Sequence, residues 1–163
     1  MRTASSPVHG LQASGIRVAV VASDYHREIH DRLLAGAMRA LEQAGGAATQ
    51  AEVFSVDGIF DVPALAGQAL EGPADAVVVL GCVVQGETRH DQHIAQSVLS
   101  TLSDLAARHR KPVALGVLTV ESLKQAKARS GGSRGDAGAF AMNAAIRSVL
   151  ELRRMRKVSP SCT

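Results

Sequence analysis

Hydrophobic and polar positions follow two different patterns along this chain. Uninterrupted aliphatic runs are typical of strands that are buried on both faces of a parallel sheet. Four strands are predicted, at residues 16–22, 52–56, 76–84 and 113–118, and residues 76–84 form the longest apolar run. Elsewhere, apolar residues recur at the three- and four-residue spacing of amphipathic helices. The helices predicted in this way carry, in chain order, Ile29 to Leu41, Ala64 to Leu70, Ile94 to Ala106, Leu123 to Ala126 and Phe140 to Leu152.

Strands that alternate with helices predict βαβ units, a parallel sheet and right-handed crossovers. We therefore expect an α/β protein: a three-layer α/β/α sandwich around a four-stranded parallel sheet. Residues 1–15 are polar and lack periodicity, which predicts a flexible N-terminal arm. A single domain then spans residues 16–157, and residues 158–163 form a C-terminal tail. Asp24 and Thr119 are the expected N-caps of the helices that follow them.

The loops that follow the four strands carry the candidate chemistry. In a parallel sheet these loops open on one edge, and ligands bind in the crevice beyond the carboxyl ends of the strands. The third loop is the most polar, with glycine amides, a carboxylate, a hydroxyl and an imidazole within residues 86–90. Taken alone, such a junction is more often a helix-capping loop. The other loops expected at this edge are Ser23–His26, Asp57–Asp61 and Thr119–Glu121.

Composition narrows the class of protein. The 163 residues include no Trp, one Tyr and three Phe, so the core must consist mainly of Ala, Val and Leu. The net charge is only +3, and much of the excess lies at the basic end of the last helix. Without a nucleic-acid motif, we expect no nucleic-acid partner.

Two cysteines give no disulfide framework or metal spacing. No signal peptide or membrane span is recognisable, so we expect no membrane partner and a cytoplasmic location.

The chain lacks the sequence motifs of several common activities of α/β proteins, which disfavours those activities. The chain has no G-x-G-x-x-G or G-x-x-x-x-G-K sequence, and it lacks the aspartate and lysine of a phosphoacceptor domain. A Cys82–His90 nucleophile pair is conceivable, but Cys82 is not in a nucleophile elbow, and free cysteine is commonly a buried hydrophobe.

Binding of a small phosphorylated, polyhydroxylated molecule fits the loops better. Gly86 and Thr88 offer amides and a hydroxyl at a helix N-terminus, where anions are stabilised. Arg129 could supply a guanidinium to a phosphate, or it could be a solvated arginine at a helix end. His90 titrates near neutral pH and could transfer protons. Tyr25 could stack on a planar ring.

From Ile16 to about Arg153 the chain resembles the lumazine synthases, which catalyse the penultimate step of riboflavin biosynthesis. The most specific element is Gly-Glu-Thr-x-His at residues 86–90, directly behind a buried strand. The remaining motifs agree with the family in order: Arg17-Val-Ala-Val-Val-Ala-Ser23, Asp31-Arg-Leu-Leu-Ala-Gly-Ala37, Gly58-x-Phe60-x-x-Pro63, Leu80-Gly-Cys-Val-Val84, Gly116-Val-Leu-Thr119 and Gln125-Ala-x-x-Arg129.

The resemblance implies a flavodoxin-like fold and a cofactor-free, metal-free condensation. An amino-ribitylamino-pyrimidinedione would combine with dihydroxybutanone phosphate to give 6,7-dimethyl-8-ribityllumazine. Residue by residue, it implies that His90 transfers protons. The substrate-contacting residues it implies are Tyr25, His26, Ile59, Phe60, Asp61, Val83, Val84 and Leu115. The phosphate site it implies, also open to inorganic phosphate, comprises Gly86, Glu87, Thr88 and Arg129.

The family also implies a homo-oligomer whose sites are each completed by a neighbouring subunit. We expect at least a pentamer, with an N-terminal arm able to pair with a neighbour's sheet. The compact segment 130–137 favours a shell of twelve pentamers. Departures from the family pattern occur near the site and are Asp57, Asp61, Gln85, Asp91, Leu115 and Ala137. They keep open a second hypothesis, a shell-forming or ligand-binding homologue whose catalysis has decayed or been redirected.

Overall fold

The structure is a computed structural model that describes residues 10–86 and 90–158, except for the side chains of residues 90–92. Its strands are β1 (Val18–Ser23), β2 (Ala51–Val56), β3 (Ala76–Val84), β4 (Val113–Val120), β5 (Ser130–Gly132) and β6 (Gly135–Asp136). Its α-helices are α1 (Arg27–Gln43), α2 (Val62–Glu71), α3 (His90–His109), α4 (Leu123–Arg129) and α5 (Ala137–Val158). Single 3-10 turns occupy Ala48–Gln50 and Ile59–Asp61.

The four predicted strands form one parallel sheet in the order β2-β1-β3-β4. This confirms the predicted α/β class and its four-stranded parallel sheet. Ser23 pairs with Val56, and Val83 pairs with Thr119, so the carboxyl ends of neighbouring strands lie level with each other. The register therefore brings the post-strand loops to one edge, as the topology predicted.

Two apolar clusters cover the two faces of the sheet. Alternate residues of each central strand point to opposite faces. Val20, Val78 and Leu80 pack with α1 and α5 in the larger cluster, whereas Val21 and Val79 pack with α2 and α3 in the other. Both clusters consist almost wholly of Ala, Val, Leu and Ile. This distribution explains why β1 and β3 read as unbroken hydrophobic runs, because neither face meets water. No helix in the described residues is long and apolar enough to cross a membrane.

Two predicted helix caps are wrong. Thr119 lies inside β4, and Ser122 is the N-cap of α4, because its hydroxyl accepts a 3.3 Å hydrogen bond from the Gln125 amide. Asp24 does not cap α1, which has His26 in the N-cap position. Its carboxylate instead lies 3.6 Å from the Arg27 guanidinium. In both places the strand runs on beyond the aliphatic residues, because backbone pairing with its neighbour continues.

The glycine-rich stretch predicted as a loop contains the short antiparallel hairpin β5–β6. Gly131 and Gly135 adopt φ angles of +89° and +103°, which are strained for any residue with a Cβ. The Arg134 amide donates a 2.7 Å hydrogen bond to the Ala128 carbonyl and ties the hairpin to α4. The segment is therefore compact.

The last residues of the predicted N-terminal arm pack against the domain. Ala13 is fully buried, and its amide donates a 2.8 Å hydrogen bond to the Ala44 carbonyl at the end of α1. The Gln50 side-chain amide donates to the carbonyls of Ala13 and Ile16 at 2.7 and 2.8 Å. Residues 1–9 and 159–163 lie outside the described residues, so flexibility of the arm and tail as wholes stays a prediction.

Candidate functional site

The post-strand loops are joined in pairs at the carboxyl edge of the sheet. The Asp24 amide donates a 2.9 Å hydrogen bond to the Val56 carbonyl, which links the loops after β1 and β2. The Ser23 hydroxyl donates to the Asp57 carbonyl at 3.3 Å in the same place. On the other side, the Gln85 amide donates a 2.7 Å hydrogen bond to the Val120 carbonyl, which links the loops after β3 and β4. These bonds give the edge a framework on which side chains can be held.

Tyr25 and His26 occupy the loop between β1 and α1. Their rings stack edge to face, with centroids 5.0 Å apart and planes inclined at 88°. The Tyr25 side chain is 77% exposed, whereas His26 is half-buried at the N-cap of α1. A rigid aromatic ring that faces outward from a loop can stack on a planar ligand without rearrangement of the backbone.

The neighbouring loop places Ile59, Phe60 and Asp61 in a single 3-10 turn at the start of α2. Phe60 is 66% exposed and Asp61 is exposed, so both can reach a molecule that lies over the edge. Ile59 packs over the backbone of Gly81, and a Cβ at that glycine would lie 2.7 Å from the Ile59 Cδ1 atom. Gly81 therefore makes room for the Ile59 side chain next to the central strand.

The loop after β3 is only partly described. Val83 and Val84 are half-buried at the end of the strand, where Val83 pairs with Thr119 in β4. Gly86 lies exposed at the edge. Glu87 and Thr88 lie outside the described residues. His90 is the first residue of α3, but its side chain is also outside the described part. The predicted roles of these three residues stay predictions.

Arg129 is the last residue of α4 and is half-buried. It forms no hydrogen bond or ion pair through its side chain with any other described residue. A half-buried guanidinium without an internal partner can accept an external anion, because no competing carboxylate must first be displaced.

Leu115 does not join the other predicted residues within one chain. It lies on β4 four positions before Thr119, roughly 13 Å back along the strand at the usual rise per residue. Its side chain is 42% exposed. If it contacts substrate, it must contact the substrate of a neighbouring chain.

Cys82 has no features of a nucleophile. Its thiol is free and buried, and burial raises the pKa of the thiol to about 11. Almost none of it is thiolate at neutral pH, and the thiolate is the reactive form. Cys82 belongs to the apolar cluster under α1 and α5.

His30, in the first turns of α1, is buried, and its Nδ1 atom lies 3.0 Å from the Asp31 carboxylate. This hydrogen bond is the main reason why the pKa of the Asp31 carboxyl is lowered. The buried Nε2 atom of His30 has no hydrogen-bond partner among the described residues. With the ring proton on Nδ1, Nε2 presents a lone pair rather than an N–H, which is the less costly group to leave unpaired.

Sequence reasoning missed one group of residues near Arg129. The guanidinium of Arg32, on α1, donates hydrogen bonds to Ser130 and to the Lys127 carbonyl. Arg32 lies within the motif Asp31-Arg-Leu-Leu-Ala-Gly-Ala37 that carries the family resemblance, but the motif gave it no role. No local pattern links it to Ser130, 98 positions away.

A groove of about 470 Å³ lies elsewhere, between β2 and α2 and towards the amino ends of the strands. Its lining includes Val18, Phe54 and Leu65 but none of the predicted site residues. The groove is mostly apolar, whereas the predicted site residues Tyr25, Phe60 and Val84 follow the carboxyl ends of the strands. We therefore place the candidate site at the carboxyl edge.

Comparisons with known proteins agree with the resemblance. A family model described as 6,7-dimethyl-8-ribityllumazine synthase matches residues 15–153. The relative of that name from Kineococcus radiotolerans is 42% identical, over 91% of this chain and 92% of its own length. Its namesake from Methylorubrum populi is 38% identical, over 98% and 96% of the two chains. The protein of that name from Frankia casuarinae is 44% identical, over 86% and 88%.

Proposed function

The chain belongs to the 6,7-dimethyl-8-ribityllumazine synthase family, and on that basis we propose how its carboxyl-edge site performs the family's reaction. The enzyme condenses 5-amino-6-(ribitylamino)pyrimidinedione with 3,4-dihydroxy-2-butanone 4-phosphate, with loss of phosphate and water. The family match over most of the chain does not favour the alternative of a decayed or redirected homologue. The phosphorylated substrate, which cannot readily cross a membrane, supports a cytoplasmic location.

The pyrimidinedione lies across the loops after β1 and β2. Tyr25 stacks on its ring, with His26 beside it, and the backbone of Val83 and Val84 meets its polar edge. Ile59, Phe60 and Asp61 line the ribityl chain, and the Asp61 carboxylate can accept hydrogen bonds from its hydroxyls. The observation that carries this assignment is the exposure of Tyr25 and Phe60 on adjoining loops of a chain with only four aromatic residues.

The phosphate of the second substrate lies where α3 begins. The backbone amides of Gly86, Glu87 and Thr88 and the Thr88 hydroxyl hold it, and the N-terminal end of α3 favours its charge. Arg129 adds a charge-assisted hydrogen bond. The same site binds inorganic phosphate, the product. His90 then exchanges protons with the amine and carbonyl as the imine forms and the ring closes.

We expect Arg129→Ala to raise the KM for the butanone phosphate by ~10–100-fold, since one charge-assisted hydrogen-bonding group contributes ~1.5–3 kcal/mol. The KM for the pyrimidinedione should change little. Lumazine absorbance in a mixture of the two substrates measures both constants, after subtraction of the uncatalysed rate. Arg154→Ala is the matched control, because among the described residues the Arg154 side chain pairs only with Glu151, on the surface of α5. Equal changes in both KM values would show that Arg129 is structural.

Each site is completed by a second subunit in this proposal. Leu115 is exposed on β4, and Val53 and Phe54 are exposed on β2, the opposite edge strand. Unpaired edges with apolar side chains are usually covered in native proteins. We propose a pentamer whose neighbours cover these edges, with the N-terminal arm on a neighbour's sheet. The compact β5–β6 hairpin supports a further step, a hollow icosahedral shell of twelve pentamers.

Native mass spectrometry of the full chain should therefore give a pentamer or a 60-subunit particle. The physical reason is that a monomer would leave β2 and the substrate loops open to water. Dilution to nanomolar concentration, followed by light scattering, tests whether the assembly persists. A monomer or dimer would contradict the two-subunit site. A pentamer alone would contradict only the shell.

A further inference from the structure

Helix α1 holds the segment on both sides of Arg129. Glu28, Arg32 and Gly36 are four residues apart and therefore share one face of the helix. Glu28 forms a 2.7 Å ion pair with Lys127, two residues before Arg129. One turn later along α1, Arg32 contacts Ser130, the residue that follows Arg129. One more turn later, Gly36 lies directly against the Asp136 carboxylate at the end of the hairpin.

Arg32 makes the contact closest to Arg129. Its Nε atom donates 3.1 Å hydrogen bonds to the Ser130 carbonyl and to the Ser130 hydroxyl. Its Nη2 atom donates a 3.3 Å hydrogen bond to the Lys127 carbonyl. Ser130 is 2% exposed, so its carbonyl and hydroxyl are out of reach of water that could replace Arg32.

These bonds add to two others at the end of α4, from the Ser130 hydroxyl to the Lys127 carbonyl at 3.5 Å and from the Arg134 amide to the Ala128 carbonyl at 2.7 Å. The last carbonyls of a helix lack intrahelical partners, and α4 is only seven residues long. Arg32 satisfies the Lys127 carbonyl and places a positive charge at the negative end of the helix dipole. It therefore fixes the backbone from which the Arg129 side chain leaves the helix.

We infer that Arg32 is a positioning residue for the phosphate subsite: it orients Arg129 towards the phosphate of the butanone substrate. The inference rests on the proposed role of Arg129. The same helix begins directly after Tyr25 and His26, so one rigid element carries the loop assigned to the pyrimidinedione and the contacts that hold Arg129. Arg39 supports the far end of the hairpin, through a 3.0 Å ion pair with Asp136, whose carboxylate also accepts from the Ala139 amide.

The test compares Arg32→Met, Arg32→Lys and Ser130→Ala with Arg129→Ala in the full assembled protein. Calorimetric titration with inorganic phosphate gives a readout that does not depend on turnover. We expect Arg32→Met to weaken phosphate binding and to raise the butanone-phosphate KM by roughly 10-fold, because small misplacements of a binding group are costly. The pyrimidinedione KM should stay within ~2-fold, and Arg32→Lys should recover only part of the loss, since a lysine can still donate to the Ser130 carbonyl but lacks the second guanidinium nitrogen that reaches the Lys127 carbonyl.

Arg154→Met is the matched control and should leave every constant unchanged. If Arg129→Ala weakens phosphate binding but Arg32→Met does not, the positioning role is overturned while the phosphate site stands. If Arg129→Ala itself has no effect, the role proposed for Arg129 fails and this inference fails with it. If Arg32→Met does not assemble, Ser130→Ala decides, because it removes one acceptor of Arg32. Unchanged phosphate binding in Ser130→Ala, or equal changes in both KM values, would overturn the inference.

Discussion

Replacement of His90 by Ala is expected to lower kcat on the order of 10–10³-fold. A positioned imidazole that exchanges protons with the amine and carbonyl contributes most when its pKa lies near the working pH. The lower end of this range in kcat applies if the two substrates also condense slowly without the enzyme. His90 starts α3 directly behind β3, so the fold brings the residue to the carboxyl edge where Tyr25 and Phe60 are exposed.

The His90 experiment needs a matched histidine and a conservative substitution. His93 lies one turn later on α3 and is exposed, so His93→Ala should leave kcat unchanged. His90→Gln keeps hydrogen-bonding groups but cannot transfer a proton at neutral pH, and it should resemble His90→Ala. Full activity in an assembled His90→Ala protein would mean that another group moves the protons.

Substitution of Gly138 by Ala is expected to destabilise the fold by about 3 kcal/mol or more, at the upper end of overpacking costs. Gly138 lies in the first turn of α5, where α5 crosses α1. A Cβ at this position would lie 1.9 Å from the Leu33 carbonyl oxygen and 2.8 Å from its carbonyl carbon. Backbone cannot rotate away as a side chain can, so the two helices would have to separate over the core.

Gly67→Ala is the matched control for Gly138→Ala. Gly67 also lies within a helix, but a Cβ there would meet the Leu105 side chain at an ordinary 3.6 Å. Because alanine restricts the unfolded chain and favours the helix, this change should stabilise by ~0.5–1 kcal/mol. Thermal unfolding at one fixed protein concentration compares the two variants, since assembly makes Tm depend on concentration. Equal Tm values would contradict the close backbone contact of α1 with α5.

Some features of the candidate site could be predicted from the sequence, and others could not. Strands of a parallel sheet all end at one edge, so the loops of Tyr25, Phe60 and Val84 could be assigned to that edge in advance. The family resemblance then supplied roles for individual residues. For Leu115 the resemblance implied a position that faces a neighbouring subunit's substrate, and this stays a prediction because it depends on how subunits meet.

Local pattern rules failed where a strand continued beyond its aliphatic residues. Asp24 and Thr119 have the side chains that favour N-caps, yet the helices begin three and four residues after them, at Arg27 and Leu123. The backbone pairs of Ser23 with Val56 and of Thr119 with Val83 extend the strands first. Hydrogen bonds to a neighbouring strand therefore determined where both strands end. A pattern read along one segment of sequence contains no information about those bonds.

The sequence alone determined the order of the four main strands and the helices, the parallel sheet, the edge at which the post-strand loops meet and the family. These features depend on which residues must avoid water, and hydrophobic periodicity records that directly. Only the tertiary structure decided that Arg32 holds Ser130, 98 positions away, and that Gly138 meets the backbone of Leu33. Such contacts depend on the distance and angle at which packed helices cross, and no local stretch of sequence encodes either quantity.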